Sequence, residues 1–163
     1  MRAVVLGIGN IILSDEGVGV RAVEALGRGY RMPESVTLID GGTSGMELLD
    51  DLSGLDLLVV LDTIVAGKVP GTVISLAGDE IPVFFRKKLS PHQIGLSDVL
   101  ASLELLGALP AETLVFGVQP VSLELGMEMS PAVAERVPEL VELAAAALRE
   151  RGYELRPAPV GQH

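Results

Sequence analysis

Five consecutive apolar residues, Leu57–Leu61, closed by Asp62, constrain this chain more than any other feature. A run without polar alternation suits a strand buried on both faces, and such strands belong to parallel sheets covered by helices. Ala3–Leu6, Val36–Ile39, Gly71–Leu76 and Leu114–Val118 are further short aliphatic runs that read as strands. Helical patterns lie between them. Asp15 to about Leu26 places Gly19, Val23 and Leu26 on one face. Ser44-Gly45-Met46-Glu47 has the form of a capping box opening a short helix. In Ser90-Pro91-His92-Gln93, serine takes an N-cap, proline the first helical position and glutamine the third. Leu96, Val99, Leu100, Leu103 and Leu106 then follow as a stripe. Ser130-Pro131 repeats the cap signal ahead of Val133, Val137, Leu140, Ala144 and Leu148, with Pro138 as a kink. The alternation predicts an α/β fold with a mostly parallel sheet and helices on both faces. Residues 1–152 form one domain on this reading, and residues 153–163 are a tail expected to fray.

Composition removes several classes of function. The 163 residues include no cysteine, which excludes disulfides, thiolate metal sites and a cysteine nucleophile. Twelve basic against 22 acidic residues give a net charge of -10, the wrong sign for a nucleic-acid binder. Aromatics are only 3%, so the core must be aliphatic. No apolar run approaches the roughly 20 residues that span a bilayer. The apolar N-terminus is interrupted by Gly7, Gly9 and Asn10 and lacks a cleavage site, so a buried strand is expected and not a signal peptide. A cytoplasmic protein that does not engage membranes follows as the expectation.

In a parallel sheet the strand C-termini share one edge, where ligands bind. That edge is expected to gather Asp15 and Glu16, Asp40-Gly41-Gly42-Thr43, Asp62-Thr63, the loop to His92, and Gln119-Pro120. Gly7-Ile8-Gly9 begins a dinucleotide fingerprint, but position 12 is isoleucine, and Asp15 and Glu16 crowd the helix end a pyrophosphate would need. Glu16, Asp62 and His92 together make a ligand set for a divalent ion such as nickel or zinc. Each also has a plain structural reading: a first-turn acid, a strand-end cap and an exposed residue beside an N-cap. Asp40 is either an active-site acid or an Asx-turn former. Gly42-Thr43-Ser44-Gly45 does not match Gly-x-Ser-x-Gly, which argues against a serine-hydrolase elbow.

The segment Gly7 to Val20, GIGNIILSDEGVGV, resembles the N-terminal signature of the hydrogenase maturation endopeptidases. Asp40–Leu48, Leu61–Ile64, Ser90–Leu96 and Gly117–Pro120 resemble that family's later motifs, and the likeness runs from Met1 to about Arg151. The resemblance implies a three-layer α/β/α sandwich around a mainly parallel, twisted five-stranded sheet. It implies a hydrolase that removes the C-terminal extension of the nickel–iron hydrogenase large-subunit precursor after nickel insertion. Glu16, Asp62 and His92 would contact nickel supplied by that precursor. Asp40 is the candidate general base, and Gly41 and Gly42, with Thr43, are candidates for close approach to the substrate tail. A protein that checks nickel loading without cutting fits the same residues, and a nucleotide-binding α/β enzyme is the more distant alternative.

Overall fold

The computed structural model describes residues 1–9, 11, 14–42, 48–81, 96–126 and 128–159. Strand β1 is Ala3–Ile8, followed by one turn of 3-10 helix, Ser14–Gly17, and helix α1, Val18–Gly29. Then come β2 (Tyr30–Arg31), β3 (Val36–Gly42), α2 (Leu49–Leu52), β4 (Leu57–Thr63) and β5 (Val73–Ala77). The chain continues with α3 (Leu96–Leu105), β6 (Glu112–Val118), α4 (Pro131–Ala134), α5 (Val137–Glu150) and β7 (Arg156–Pro157).

Five strands form the main sheet in the order β3-β1-β4-β6-β5. The pairs β3/β1, β1/β4 and β4/β6 are parallel, while β5 runs antiparallel to β6. Every residue of β4 is buried, as its unbroken apolar run requires. Side chains alternate across the sheet and feed two cores. One joins Val5, Val59 and Leu61 to Leu26 of α1 and Leu140 and Leu148 of α5. The other joins Leu6, Leu58 and Val60 to Leu52 of α2 and Leu103 of α3. The result is the expected three-layer α/β/α arrangement.

Four expectations need correction. The stretch from Asp15 is not all α-helix: a 3-10 turn holds Asp15 and Glu16, and α1 begins at Val18. Leu106 lies past the end of α3 and is 70% exposed. The amides of Gly107 and Ala108 bond back to the carbonyls of Glu104 and Leu103, a Schellman closure with Gly107 at φ +68°. Pro138 does not kink one helix; the chain breaks after α4, and proline enters the first turn of α5, where its missing N–H is harmless. The tail expected to fray is docked through Ala158. Gly152, at φ +89°, closes α5 in the same Schellman manner and turns Tyr153 into the core. Tyr153 and Leu155 are buried, β7 pairs with β2, and the Ala158 amide donates to the Gly29 carbonyl at 2.9 Å.

Because β5 is antiparallel, its end at Ala77 lies beside Leu114, toward the edge opposite the C-termini of the parallel strands. Strand order alone therefore does not carry the loop toward His92 to the shared edge. The end of α3 is tied to the opposite edge, where the Gly54 amide donates to the Ala108 carbonyl. Leu96 is thus the end of α3 nearer the shared edge. His92, the Ser90-Pro91 cap, the Ser44 capping box and Thr43 lie outside the described residues.

The packing at the head of α1 leaves no room for a side chain at Gly19. A β-carbon there would sit 2.1 Å from the Leu61 carbonyl oxygen and 2.6 Å from that of Ile8. Both obstacles are backbone, so the helix itself would have to move. Gly19→Ala is expected to destabilise the fold by about 3 kcal/mol, the upper range for overpacking. Denaturant titration checks this, and a midpoint within error of wild type would show that α1 yields easily.

Candidate functional site

The chain leaves β1 for β3 on one side and later inserts β4 on the other side of β1. The order therefore reverses between β1 and β4, and a crevice opens above their C-terminal ends. Glycines let the backbone close around it. Gly7 would place a β-carbon 2.6 Å from the Gly19 carbonyl oxygen. Gly9 sits at φ +131°, and a side chain there would collide with the Glu16 carbonyl. The Gly7-x-Gly9 pair thus works as a packing device that seats the 3-10 turn on the strand end. Gly117 plays the matching part on β6, where a β-carbon would lie 2.7 Å from the Asp62 carbonyl oxygen.

Two predicted residues are buried on elements that border this crevice. Glu16, 6% exposed, rides on the 3-10 turn, which packs against β4. Asp62, 2% exposed, ends the buried strand, and its Oδ1 accepts the Thr63 amide at 2.7 Å. Burying carboxylates is unfavourable unless they are hydrogen-bonded, paired or engaged with a cation. Among the described residues, no group of three His, Asp or Glu side chains is placed to hold a metal ion. Glu16 and Asp62 supply two oxygen donors, and the third predicted ligand, His92, lies outside that set.

Asp40 is placed differently. It is exposed on edge strand β3, in register with Gly7 and Leu61, so alternation sends it to the opposite face of the sheet from Asp62. Gly41 has an internal reason to lack a side chain: a β-carbon there would meet Leu6 at 2.8 Å. Gly42 pairs with Ile8 across a register shift in β1. Asp98 is an exposed acid on α3.

Asp15 and Gln119 do more than the sequence suggests. Asp15 is fully buried, and its carboxylate accepts four hydrogen bonds. The amides of Val121 and Ser122 reach Oδ2 at 2.8 Å, the Ser130 amide reaches Oδ1 at 2.6 Å, and the Ser130 hydroxyl reaches Oδ2 at 2.9 Å. Burial works to raise its pKa, but the amides of Ser122, Ser130 and Val121 and the Ser130 hydroxyl outweigh it, and the carboxyl stays below its ordinary value. Gln119 turns its Oε1 to the amides of Ala66, at 2.7 Å, and Lys68, at 3.3 Å, joining the loop after β4 to the end of β6. No local pattern announces these partners, because they lie more than fifty residues away along the chain.

The two loops so joined expose apolar side chains at this edge. Val65 and Val69 follow β4, and Val121, Leu123 and Leu125 follow β6; Leu125 is 80% exposed. Among the described residues, no helix is long and apolar enough to cross a membrane.

Known proteins share this architecture and sequence. The HycI family model, hydrogenase maturation protease, matches residues 20–147. The Hydrogenase 2 maturation protease of Escherichia coli (strain K12) is 47% identical over 158 residues, covering 96% of each chain. The hydrogenase expression/formation protein HupD of Rhodobacter capsulatus is 41% identical over 156 residues, covering 94% of this chain and 74% of its own. The solved structure of the hydrogenase maturating endopeptidase HybD from E. coli superposes with a TM-score of 0.92 at 46% identity, covering 96% of this chain and 98% of that one. A family match over most of the chain, joined to near-full-length identity and the same fold, makes this chain a member of the hydrogenase maturation protease family.

Proposed function

We propose that this protease removes the C-terminal extension of a nickel–iron hydrogenase large-subunit precursor once nickel has been inserted. The observation that carries the reading is the pair of buried carboxylates, Glu16 and Asp62, at the β1/β4 crevice of a hydrogenase maturation protease. Together with His92 they form a set of oxygen and imidazole donors suited to a borderline divalent ion. Nickel is cargo here, brought by the precursor. When it is in reach, the crevice gains a Lewis acid beside the scissile carbonyl. Precursor without nickel forgoes those contacts, and the difference in affinity is the selectivity.

Hydrolysis adds water across the peptide bond: its oxygen joins the carbonyl carbon, and its proton ends on the departing amine. A base must hold that proton in between. Asp40 is our assignment for that base; it is exposed near the C-terminal end of edge strand β3, on the sheet face that packs α1 and opposite Asp62, and it precedes two glycines. The apolar side chains of Val121, Leu123 and Leu125 flank the crevice on the loop that contacts the Ser14–Gly17 turn. They are assigned to seating the precursor, since exposed apolar patches beside a site mark partner surfaces.

The reading is tested by mixing the protein with nickel-loaded and nickel-free precursor and following mass. Only the loaded form should lose a C-terminal peptide. Cutting of the empty form overturns the nickel requirement, and a stable complex without peptide release selects the non-cutting checkpoint. His92→Ala and Asp62→Asn should each lower cleavage about 100-fold or more if they contact the ion; unchanged rates remove that role. For the base, Asp40→Asn should lower kcat about 100-fold while precursor binding holds, and single-turnover rates equal to wild type dismiss it. Leu125→Asp should raise KM about tenfold with kcat retained, as steady-state kinetics on loaded precursor will read.

A further inference from the structure

We infer that Asp15 is a positioning residue for Glu16, acting as a clamp between the 3-10 turn and the segment 121–130. This deepens the proposed function and rests on Glu16 having the role assigned there. Three strands of contact carry the inference. The Asp15 carboxylate takes its four hydrogen bonds from Val121, Ser122 and Ser130. The Asp15 amide donates in return to the Ser122 carbonyl at 3.2 Å. Ser14 adds its amide to the Gly126 carbonyl at 2.7 Å and its hydroxyl to the Glu124 carbonyl. Glu16 follows directly, with its carbonyl seated against Gly9. The turn is therefore gripped on both sides of Glu16, by Gly9 beneath and by Asp15 alongside.

The backbone shows that the grip is needed. Ser14 stands at φ +51°, the only non-glycine residue with positive φ among those described. Such a conformation persists only where surrounding contacts over-determine it, and the Ser14 and Asp15 bonds do so. Asp15 itself is poorly placed for direct chemistry: it is fully buried, and both oxygens already face N–H donors. An amide in its place would turn an NH2 group toward at least one of those donors. The clamp therefore requires a carboxylate, and asparagine is not a neutral replacement despite its shape.

The experiment combines hydrogen exchange with a double-mutant cycle on the full-length protein. Asp15→Asn should speed exchange at residues 14–17 and 121–130 together by about tenfold or more, with β4 still protected. With nickel-loaded precursor it should lower kcat about 30-fold while KM stays within threefold. If Asp15 acts through Glu16, the double variant D15N/E16Q should cut no more slowly than E16Q alone. Losses that multiply in the double variant, or exchange confined to one of the two segments, overturn the proposal. Should Asp15→Asn fail to fold, Ser130→Ala removes one hydroxyl donor and is expected to give the same pattern at about threefold; wild-type exchange and kcat in that variant count against the clamp. If wild type cuts no precursor, the function assigned above fails, while the exchange data still decide whether Asp15 couples the two segments.

Discussion

The crossing of α1 over β1 and β4 governs the rest of the structure. Gly19 lies against the carbonyls of Leu61 and Ile8, and Gly7 lies against the carbonyl of Gly19. Here backbone meets backbone, with no side chain between. Such contact fixes the height of the helix above the sheet to within a few tenths of an ångström, because interiors pack at near-crystalline density. The turn that carries Glu16 is continuous with this helix, and Asp62 is the residue after Leu61. One contact thus sets the relation between the two acids from both directions. A bulkier residue at either glycine would shift the helix and the turn continuous with it.

The fold was legible where burial alone decides it. Leu57–Leu61 could be little other than a central strand, and all of β4 is buried. The direction of β5 was not legible, since an aliphatic run says nothing about which way its neighbour points. The docked tail was legible in principle. Gly152-Tyr153 after a helical stripe is a Schellman closure followed by an apolar residue, the same closure that ends α3 at Gly107. Composition after Gly152, with its two prolines and one arginine, suggested fraying instead. Pro138 shows the same competition: its ring reads as a kink only if the helix is taken to begin at Pro131.

Within the site, the acids at strand ends were legible because topology alone carries them to a common edge. Asp62 lies at the end of β4 on that edge, and Glu16 rides on the turn that packs against β4. Asp15 was hidden because its partners, at 121–130, adjoin it only in three dimensions. Read in sequence, Asp15-Glu16 is a doublet of equivalent acids ahead of a helix. In the fold they differ completely. Asp15 gives its acceptor capacity to backbone amides and one hydroxyl, while Glu16, also buried, belongs to the same turn that packs against β4. Gln119 is a similar case, a buried polar residue whose oxygen serves two amides of the preceding loop.

Under the proposed function, the burial of these acids bears on how loaded precursor would be told from empty. Like charges held near one another away from bulk water repel. A divalent ion entering between them reverses the sign of each interaction, whereas a precursor without metal leaves the repulsion in place. Discrimination of 100-fold needs only about 2.7 kcal/mol. That gain depends on rigidity. If Glu16 could swing away in the empty state, the repulsion would be relieved without metal and the difference between the two precursors would shrink. On the proposed reading, a crevice whose acids are held by glycine contacts on one side and by the Asp15 network on the other would keep the empty state unfavourable, and selectivity would follow from that stiffness as much as from the choice of ligands.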